Sequence, residues 1–524
     1  MKPIFNAVFQ FFTIFSSLFI TAQNLQISPL NHSFVNTSEL QTDSLSLSLA
    51  NTGNRTVSIR RIYMPNEWQS RPFSAKDSLA TILPNATWQT KIYFKPKHNT
   101  LFKGPIVVIT DSFYGGLIVD VQGQGVFSNT YYNSTQNLSG TPLFNALKAR
   151  ISSPYTSLGY NTARDNMYGN IDNLNGAVTC VYTGRTANFS TRAGATSNGF
   201  NTEHTWPQSL FGSNEPMQSD LHHLYPTDET ANSQRGNLPF GVVTGSILWQ
   251  NGGSKKGSSS FEPRDAHKGG VARTMMYFVM RYQNYSNFFT SQESTLRQWH
   301  QQFPPTSAQK LRNQDIASLQ QNRNPFVDYP QFIDRLGPLT ANGALPNNPA
   351  WKLLPDTIIM CPGIQAQAVV HNTGNTSISL TQVSSNLPQV QVQWNGNSTL
   401  APGEFRAISL NTTQNFGSAQ LNVSSNQGNQ TTHLQLVNHP SVGLPSQEPC
   451  QFVLYPNPAK GSLKLKSGSC PALKLEVYDL RGQLVLQLDS NINENMPLLN
   501  LKPGMYFAHI IHVQGVNIMP FVLQ

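Results

Sequence analysis

Two neighbouring segments decide how the central part of this chain folds: Glu203–Gln208, "EHTWPQ", and Ser219–Arg235, "SDLHHLYPTDETANSQR". The first segment places an acid directly before a histidine. Neighbours in a regular strand point to opposite faces, so Glu203 and His204 can serve one site only at a strand end or a bulge. We therefore expect a strand to end here, and a helix from the second segment to complete the site.

The second segment predicts a short helix that starts near Thr227 and stops at Gly236. Asp228, Asn232 and Arg235 follow one another at helical spacing and share one face of this helix. A carboxylate and an amide oxygen are hard ligands of the kind that Mg²⁺ takes, and a neutral histidine accepts a proton from water. An arginine matches the geometry of a phosphate group. Together the two segments predict a metal-assisted hydrolase.

The histidines of these segments allow two other interpretations. Zinc binds imidazole, so His204, His222 and His223 could form a zinc site, although their spacing fits no common zinc motif. In the other interpretation the adjacent histidines only satisfy buried hydrogen bonds. We prefer that interpretation for His223, and for His222 it stays open beside a role in supporting a metal ligand.

The segment 128–345 differs in composition from the rest of the chain, being rich in His, Trp, Tyr and Asn, and predicts a mixed α+β domain. Helical patterns lie at Pro142–Ile151, Thr227–Arg235 and Lys268–Gln283, and strands are expected beside Cys180 and Thr205. Residues 128–345 contain 17 Lys and Arg against 13 Asp and Glu. This balance is compatible with a polyanionic substrate and does not demand one.

The largely apolar run Val8–Ile20, followed by Ala22, predicts a cleaved export signal over residues 1–22, because the run is too short to span a bilayer. No later segment of the sequence has the unbroken apolar length of a membrane-spanning helix. In an exported chain the four cysteines allow three full pairings. We expect Cys450 and Cys470 to pair, because they close a short loop, and Cys180 to be a buried thiol.

Two similar segments flank the central one: Asn51–Ile59, "NTGNRTVSI", and Asn372–Leu380, "NTGNTSISL". Each contains an Asn-Thr-Gly-Asn turn and an alternating strand, followed by a proline turn and a second alternating strand, which predicts antiparallel β-sandwiches with equivalent turns. Both resemble the immunoglobulin-like modules of the abnormal-spindle/hydin type. The resemblance implies modules over residues 24–127 and 350–440, which we expect to be spacers without an activity of their own.

The end of the chain contains three ordered motifs: Phe452–Leu465, Val477–Val485 and Leu501–Ile510. They resemble the C-terminal sorting domain of type IX secretion. The resemblance implies a small β-sandwich over residues 450–524, the type IX secretion machinery as a partner, and a secreted protein that is extracellular or attached to the cell surface.

The central segment resembles the bacterial endonuclease I family, which are secreted or periplasmic non-specific nucleases with a ββα-metal (His-Me finger) site. The motifs that carry the resemblance are Asn201–Gly212, Ser219–Gly241, Trp249–Lys255, Phe261–Arg273 and Asn322–Pro330. The implied fold class is multidomain, with an α+β ββα-metal nuclease core over 128–345 between the immunoglobulin-like modules.

The resemblance implies an endonuclease that cuts DNA to 5′-phosphate products with little sequence preference, RNA being left open as a second substrate. His204 is then the general base, and Glu203 and Asn232 hold Mg²⁺ or another divalent ion such as Mn²⁺ or Ca²⁺. Arg235 is the candidate for the scissile phosphate. The remaining candidates, for support of the site or contact with substrate, are His222, Asp228, Lys268 and Arg273.

One position departs from the family, which usually has an aspartate where this chain has Gly270. That acid could have paired with Arg273 one helical turn on, so we expect a loss of local support and not of chemistry. A rival interpretation is a non-catalytic surface adhesin, in which a degenerate nuclease fold binds nucleic acid or glycans. A second rival is a phosphodiesterase for small or lipid substrates. We expect a monomer without an integral membrane segment.

Overall fold

The computed structural model describes residues 25–524 apart from gaps at 67–69, 113, 283–285, 395–398, 415–416, 437–451, 468–471, 481, 489–495, 499–500 and 513–514. The chain divides into two compact units, Met1–Leu436 and Val437–Gln524. The expected export signal and the expected Cys450–Cys470 disulfide lie outside the described residues. Cys180 is a buried free thiol, as predicted. Among the described residues, no helix has the length and apolar character needed to cross a membrane.

The first β module, residues 25–126, folds into two sheets around one apolar core. Its strands are β1 (Leu25–Ser28), β2 (Asn31–Ser38), β3 (Asp43–Asn51), β4 (Val57–Tyr63), β5 (Phe73–Ala75), β6 (Ala80–Ile82), β7 (Thr87–Phe94), β8 (Leu101–Thr110) and β9 (Gly116–Val126). The sheet orders are β1-β3-β7-β5 and β2-β9-β8-β4-β6. Alternate residues of β3, namely Leu45, Leu47 and Leu49, are buried in the core, in keeping with the two-residue period of a strand.

The central region, residues 128–345, mixes short strands with helices. Its strands are β10 (Asn173–Leu174), β11 (Ala177–Thr179), β12 (Thr186–Asn188), β13 (Phe200–His204), β14 (Leu224–Asp228), β15 (Trp249–Asn251), β16 (Ser254–Lys256) and β17 (Phe261–Glu262). Its helices are α1 (Gly140–Ser152), α2 (Tyr160–Asn166), α3 (Arg192–Ser197), α4 (Glu229–Arg235), α5 (Asp265–Arg281), α6 (Ser286–Thr290), α7 (Glu293–Gln302), α8 (Ser307–Gln320) and α9 (Pro325–Asp328). The region is α+β, as predicted.

The three predicted helices of the central region are present as α1, α4 and α5. Helix α4 begins at Glu229, close to the predicted start near Thr227, because strand β14 continues through Asp228, whose main chain is extended. The apolar residues at 271, 275, 278 and 279 have the spacing of a helix with one buried stripe. In the structure every side chain from Val271 to Arg281 is buried, because α1, α7 and α9 pack around helix α5. The apolar spacing alone does not report how many elements surround a helix.

The second β module, residues 351–436, has the strand order of the first. Its strands are β18 (Trp351–Leu354), β19 (Thr357–Met360), β20 (Ala366–Asn372), β21 (Ile378–Ser385), β22 (Gln391–Gln393), β23 (Thr399–Leu400), β24 (Phe405–Asn411), β25 (Ser418–Ser425) and β26 (Gly428–Leu436). The sheet orders are β18-β20-β24-β22 and β19-β26-β25-β21-β23. Matching β18 with β1 brings every later strand of the two modules into correspondence, including the parallel pairs β2–β9 and β19–β26.

The two Asn-Thr-Gly-Asn turns are equivalent in detail. The Asn51 amide donates to the carbonyl oxygen of Arg55 at 2.6 Å and accepts from the main-chain nitrogen of Gly53 at 3.1 Å. Asn372 repeats this pattern with Thr376 at 2.8 Å and Gly374 at 2.9 Å. Each buried asparagine thus closes its own turn, which explains why an asparagine begins both turns.

The two modules contact each other although the central region separates them in the chain. Gly115 and Gln367 form a parallel bridge, and the Gln367 nitrogen donates to the carbonyl oxygen of Tyr114 at 2.9 Å. A small buried cluster joins them; its members are Tyr63, Val107, Leu354 and Val369. The first compact unit is therefore held together across its two ends.

The second compact unit contains β27 (Phe452–Tyr455), β28 (Ser462–Ser467), β29 (Ala472–Asp479), β30 (Leu484–Leu488), β31 (Met496–Pro497), β32 (Gly504–His512) and β33 (Gly515–Leu523). The sheet orders are β27-β28-β31 and β30-β29-β32-β33. Side chains from both sheets form one core, for example Leu465 on β28 and Ile510 on β32.

Candidate active site

The candidate site is built on a β-hairpin followed directly by a helix. Strands β13 and β14 pair antiparallel, with Glu203 opposite Tyr225 and His204 opposite Leu224. His204 is the last residue of β13, so the strand ends where the sequence predicts. Helix α4 leaves the end of β14 and packs against both strands. This arrangement brings the Glu203–His204 pair and the residues of α4 into one substructure.

The Glu203 carboxylate is held from two sides. The Tyr182 hydroxyl donates to Glu203 Oε1 at 2.6 Å, and Arg235 Nη1 lies 3.3 Å from the same oxygen. Glu203 is only 1% exposed. Burial raises the pKa of Glu203, and the Arg235 charge and the Tyr182 hydrogen bond act in the opposite direction. The carboxylate is thereby fixed in one orientation.

Arg235 lies inside the fold, and this corrects the expectation that it faces a phosphate. Besides the ion pair with Glu203, it donates to the carbonyl oxygens of His204 at 3.2 Å and Thr205 at 2.6 Å. Its guanidinium is 4.6 Å from the centre of the Phe240 ring, and the residue is 1% exposed. Arg235 therefore ties α4 to the end of β13 and positions Glu203.

The His204 ring has a defined proton arrangement. Its Nε2 lies 3.1 Å from the carbonyl oxygen of Gln218. A carbonyl only accepts, so Nε2 carries the proton and Nδ1 is the basic nitrogen. Burial, and then the neighbouring His223, lower the pKa of His204 to about 3. The imidazole is therefore neutral at neutral pH, the state that a general base requires.

Asn232 fastens α4 to β13. Its amide nitrogen donates to Asn201 Oδ1 at 2.9 Å and lies 3.4 Å from the carbonyl oxygen of Thr202. The amide oxygen Oδ1 is the atom of Asn232 whose chemistry suits a hard cation. Glu203 adds a carboxylate from the adjacent strand, so the donor set is one carboxylate and one amide. This set fits an ion such as Mg²⁺, which keeps several waters and takes few protein ligands.

The three histidines do not converge on one point, which removes the basis of the zinc alternative. Their Nε2 atoms contact different carbonyl oxygens: His204 that of Gln218, His222 that of Asn322 at 3.2 Å, and His223 that of Met217 at 2.5 Å. Across the described part of the chain, no group of three or more His, Cys, Asp or Glu side chains is arranged to hold a metal. His223 is a buried, hydrogen-bonded histidine, as predicted, and His222 is of the same kind.

Two further candidates from the sequence are engaged in ion pairs. Asp228 accepts from the Thr183 hydroxyl and from Arg185, which anchors the start of α4 to the loop before β12. Lys268 donates to Glu262 and Asp265, both at 2.8 Å. These contacts point to structural roles, because each charge is already matched by an opposite charge.

Arg273 is also buried, and its contacts explain the glycine at position 270. The guanidinium donates to the Phe303 carbonyl oxygen at 2.8 Å and to Gln309 Oε1 at 2.6 Å. A Cβ atom on Gly270 would lie 3.2 Å from Gln309 Nε2 and 3.1 Å from the His267 ring. Gln309 thus supplies the acceptor that an acid at position 270 could have supplied, and it occupies the space beside the glycine.

Sequence reasoning missed two residues that shape the site. Tyr182 holds the Glu203 carboxylate, and Tyr160 places its ring 5.4 Å from the His204 ring. Both tyrosines come from loops or a short helix that precede β13. Neither has a motif that distinguishes it from other tyrosines in the sequence.

Comparison with known proteins shows that the central region is similar to nucleases named as extracellular. The Endonuclease I family model matches residues 140–331. An extracellular ribonuclease of Bacillus amyloliquefaciens is 34% identical over 233 residues, which are 40% of this chain and 78% of the relative. An extracellular ribonuclease of Bacillus subtilis (strain 168) is 31% identical over 232 residues, 40% of this chain and 79% of the relative. The chain belongs to the endonuclease I family.

Two further matches concern a deoxyribonuclease and the C-terminal segment of the chain. An extracellular deoxyribonuclease of Aeromonas hydrophila is 27% identical over 117 residues, which are 21% of this chain and 50% of the relative. The model of a secretion system C-terminal sorting domain matches residues 453–524. The protein is a nuclease that carries a type IX sorting domain, and it is secreted or attached to the cell surface.

Proposed function

We propose that the protein is a metal-dependent endonuclease that hydrolyses phosphodiester bonds of DNA, and of RNA as a second substrate, to 5′-phosphate products. One observation carries the proposal: His204 ends β13 directly after the fixed carboxylate of Glu203, and its Nε2 contacts the carbonyl oxygen of Gln218, which leaves Nδ1 without a proton. Water activated by Nδ1 would attack the phosphorus as the bond to the 3′ oxygen breaks, and the proton of the water would move to the imidazole.

Glu203 and Asn232 would hold the Mg²⁺, or Mn²⁺ or Ca²⁺ in its place. When bound, the ion would neutralise charge on the scissile phosphate and on the leaving 3′ oxygen. Tyr182 and Arg235 keep the Glu203 carboxylate in place, and Asn201 keeps the Asn232 amide in place. This support limits rearrangement of the ligands, which favours a site that is organised before the substrate arrives.

The expected contacts are to the phosphate backbone and not to base edges, so sequence preference is slight. The relatives named ribonucleases and the relative named a deoxyribonuclease all match this chain. Both nucleic acids therefore belong in the test of substrate.

We further propose five segments: the export signal 1–22, an immunoglobulin-like module 24–127, the nuclease domain 128–345, a second such module 350–440 and the sorting domain 450–524. The equivalent strand orders of the two β modules support their assignment to one type. Their proposed role is that of spacers, and the proposed state of the protein is a monomer.

A plasmid-nicking assay with metal titration tests the proposed function. Supercoiled DNA and a structured RNA are incubated with the full chain, with Mg²⁺ and with EDTA. Cleavage that requires the added ion and leaves 5′-phosphates supports the proposal. Binding of DNA without cleavage under any ion would support the adhesin instead, and turnover of small diesters without cleavage of DNA or RNA would support the phosphodiesterase.

Two variants test whether Glu203 and Asn232 are the metal ligands. Glu203→Ala and Asn232→Ala should each lower kcat/KM by about 100-fold or more and weaken Mn²⁺ binding, because each removes a ligand oxygen. Glu229→Ala is the matched control, since Glu229 is an exposed acid in the first turn of α4. Asn232 is only half-buried, so its variant remains informative if the loss of the buried Glu203 unfolds the domain. Native metal dependence in Asn232→Ala would contradict the ligand assignment.

A further inference from the structure

Helix α2 places an arginine and a tyrosine beside the proposed base. The Tyr160 ring centre is 5.4 Å from the His204 ring centre, with the two planes inclined by 34°. The Arg164 guanidinium carbon lies 4.2 Å from the centre of the same Tyr160 ring. The tyrosine ring therefore fixes the guanidinium on the side of the site where His204 ends its strand.

Arg164 differs from its cationic neighbours because no carboxylate neutralises it. In the part of the chain that the structure describes, Arg185 pairs with Asp228 and Arg192 with Asp165, whereas Arg164 forms no ion pair within 4.0 Å. Its Nη2 donates to a neutral acceptor, Asn161 Oδ1, at 2.7 Å. A guanidinium without a carboxylate retains its full attraction for an anionic ligand.

One hydrogen-bond donor of the Arg164 side chain, Nε, has no acceptor in the protein. Arg164 Nε is buried and has no partner in the protein, although the residue as a whole is only half-buried. A buried N–H group without an acceptor is unfavourable. The guanidinium is therefore not fully committed within the fold, and its terminal nitrogens can meet a phosphate in the usual two-pronged geometry.

A second arginine near His204 is not available for such a contact. Arg235 is already committed to Glu203 and two carbonyl oxygens. Of these two arginines, only Arg164 is accessible enough to meet a substrate.

We propose that Arg164 binds a backbone phosphate of the nucleic acid next to His204, with Tyr160 as the platform that holds its guanidinium. The proposal rests on the proposed nuclease function of the same site. It assigns to α2 the phosphate contact that Arg235 cannot make, because Arg235 is enclosed by the hairpin and α4.

The first test compares the steady-state kinetics of Arg164→Gln and Arg164→Lys with those of the wild type on a defined DNA duplex. Loss of one charged phosphate contact should lower kcat/KM by about 10- to 100-fold in Arg164→Gln. Lysine keeps the charge without the planar fork, so Arg164→Lys should fall between the two. Arg150→Gln is the matched control, because Arg150 also lies over a tyrosine ring, 3.9 Å from the centre of Tyr131, and does not contact the site.

The second test measures binding without cleavage. In a His204→Ala background, adding Arg164→Gln should weaken the Kd for a labelled duplex in EDTA. It should also reduce the slope of the logarithm of the association constant against the logarithm of the salt concentration by about the contribution of one phosphate. Adding Arg150→Gln should leave both quantities unchanged. The salt slope separates a phosphate contact from a structural role, since loss of packing does not change the number of neutralised phosphates.

The outcomes distinguish this proposal from the proposed function. If the wild type cleaves DNA but Arg164→Gln matches Arg150→Gln in kcat/KM and in salt slope, the Arg164 assignment is wrong and the nuclease assignment stands. The Arg164 assignment is also wrong if Arg164→Gln loses activity while its salt slope stays unchanged. If the wild type cuts no nucleic acid under any divalent ion, the proposed function itself has failed. Should Arg164→Gln not fold, Arg164→Lys carries the comparison, and a wild-type kcat/KM in that variant counts against the two-pronged contact.

Discussion

The central region and the two β modules of this protein differ in the kinds of side chain that they bury. The modules bury alternate aliphatic side chains of their strands, such as Leu47 and Leu49 in the first and Val370 in the second. The central region also has a large apolar core but adds fully or nearly buried charged groups. These buried charged residues include Glu203, Asp220, Arg235, Arg273, Arg281 and Arg335.

The two kinds of burial have different consequences. Apolar burial stabilises a module without fixing any reactive group, which agrees with the proposed role of the modules as spacers. Burying a charge is unfavourable unless partners and hydrogen bonds compensate it, so buried ions are poor evidence of stability and better evidence of a requirement for fixed geometry. Arg235 is the clearest case, because it pairs with Glu203 and donates to the carbonyl oxygen of His204.

The largest loss of stability is expected when a buried ion pair of the central region, Asp220–Arg281, is broken. The Asp220 carboxylate accepts from Arg281 at 2.5 Å, Tyr277 at 2.8 Å and Tyr282 at 2.9 Å. Burial raises the pKa of Asp220, but the Arg281 charge, the two neighbouring histidines and the Gln320 hydrogen bond together outweigh burial and hold the pKa below its usual range. Asp220→Ala should destabilise α5 by about 3–5 kcal/mol, because it leaves Arg281 buried and unpaired.

The measurement for Asp220→Ala is the opening free energy of α5 by native-state hydrogen exchange of the full chain. The control is Asp165→Ala, which breaks the exposed pair with Arg192 and should cost about 0–1 kcal/mol. Equal losses of protection in the two variants would erase the proposed contrast between buried and exposed charge.

The next effect tests the equivalence of the β modules. Asn51→Ala and Asn372→Ala should each lower the opening free energy of their own module by about 1–3 kcal/mol, since each leaves buried turn groups without a partner. Asn54→Ala, at an exposed position of the first turn, should change it by less than about 0.5 kcal/mol. A loss in one module without a comparable loss in the other would show that the repeat is not equivalent in energy.

A smaller effect is expected from pH at the contact between the modules. His371 Nδ1 lies 2.8 Å from the Tyr63 hydroxyl, and burial followed by the Lys352 charge lowers the pKa of His371 to about 4. The unfolded histidine titrates near 6.5, so the unfolded chain binds more protons between these values. The stability that His371 contributes is therefore complete above about pH 6.5 and is lost as the pH falls towards 4.

Between pH 7 and pH 5 this single group should remove about 2 kcal/mol from the opening free energy of the module contact. Hydrogen exchange at both pH values, corrected for intrinsic rates, measures it in the wild type and in His371→Gln. The variant should lose this part of the pH dependence. An unchanged pH dependence in His371→Gln would place its origin in other buried groups.

The smallest effect concerns Gly270, where the family usually has an acid. Gly270→Asp should change the stability of α5 by less than about 1 kcal/mol, because better helix propensity opposes crowding against Gln309 and His267. It should leave kcat/KM within about threefold, since residue 270 contacts neither proposed metal ligand nor His204. A tenfold loss of activity with normal protection of α5 would connect this position to the chemistry.

Local patterns in the sequence predict much of this architecture. The stop at Gly236 and the helical spacing before it predict α4, and the Glu203–His204 pair predicts the end of β13. The paired Asn-Thr-Gly-Asn turns predict the repeat because each asparagine bonds to groups only a few residues away. Such features depend on short-range geometry, which a sequence displays directly.

The features that escaped prediction depend on contacts between distant segments. Tyr182 reaches Glu203 from 21 residues away, and Gln309 meets Arg273 across 36. Arg235 has the helical spacing of a residue that faces the site, yet tertiary packing turns its guanidinium onto the main chain of β13. Spacing along a helix predicts a shared face but not what that face meets.

We propose that His204 is the base of a phosphodiesterase site and not one more buried histidine. The direct measurement is kcat/KM on a DNA duplex for His204→Ala, beside Kd for the same duplex in EDTA, with the exposed His433→Ala as control. We predict a fall in kcat/KM of about 10²- to 10⁴-fold with Kd nearly unchanged, because the base is removed and the phosphate contacts remain. A His204→Ala protein that cuts DNA at the native rate would contradict the assignment of His204 as the base.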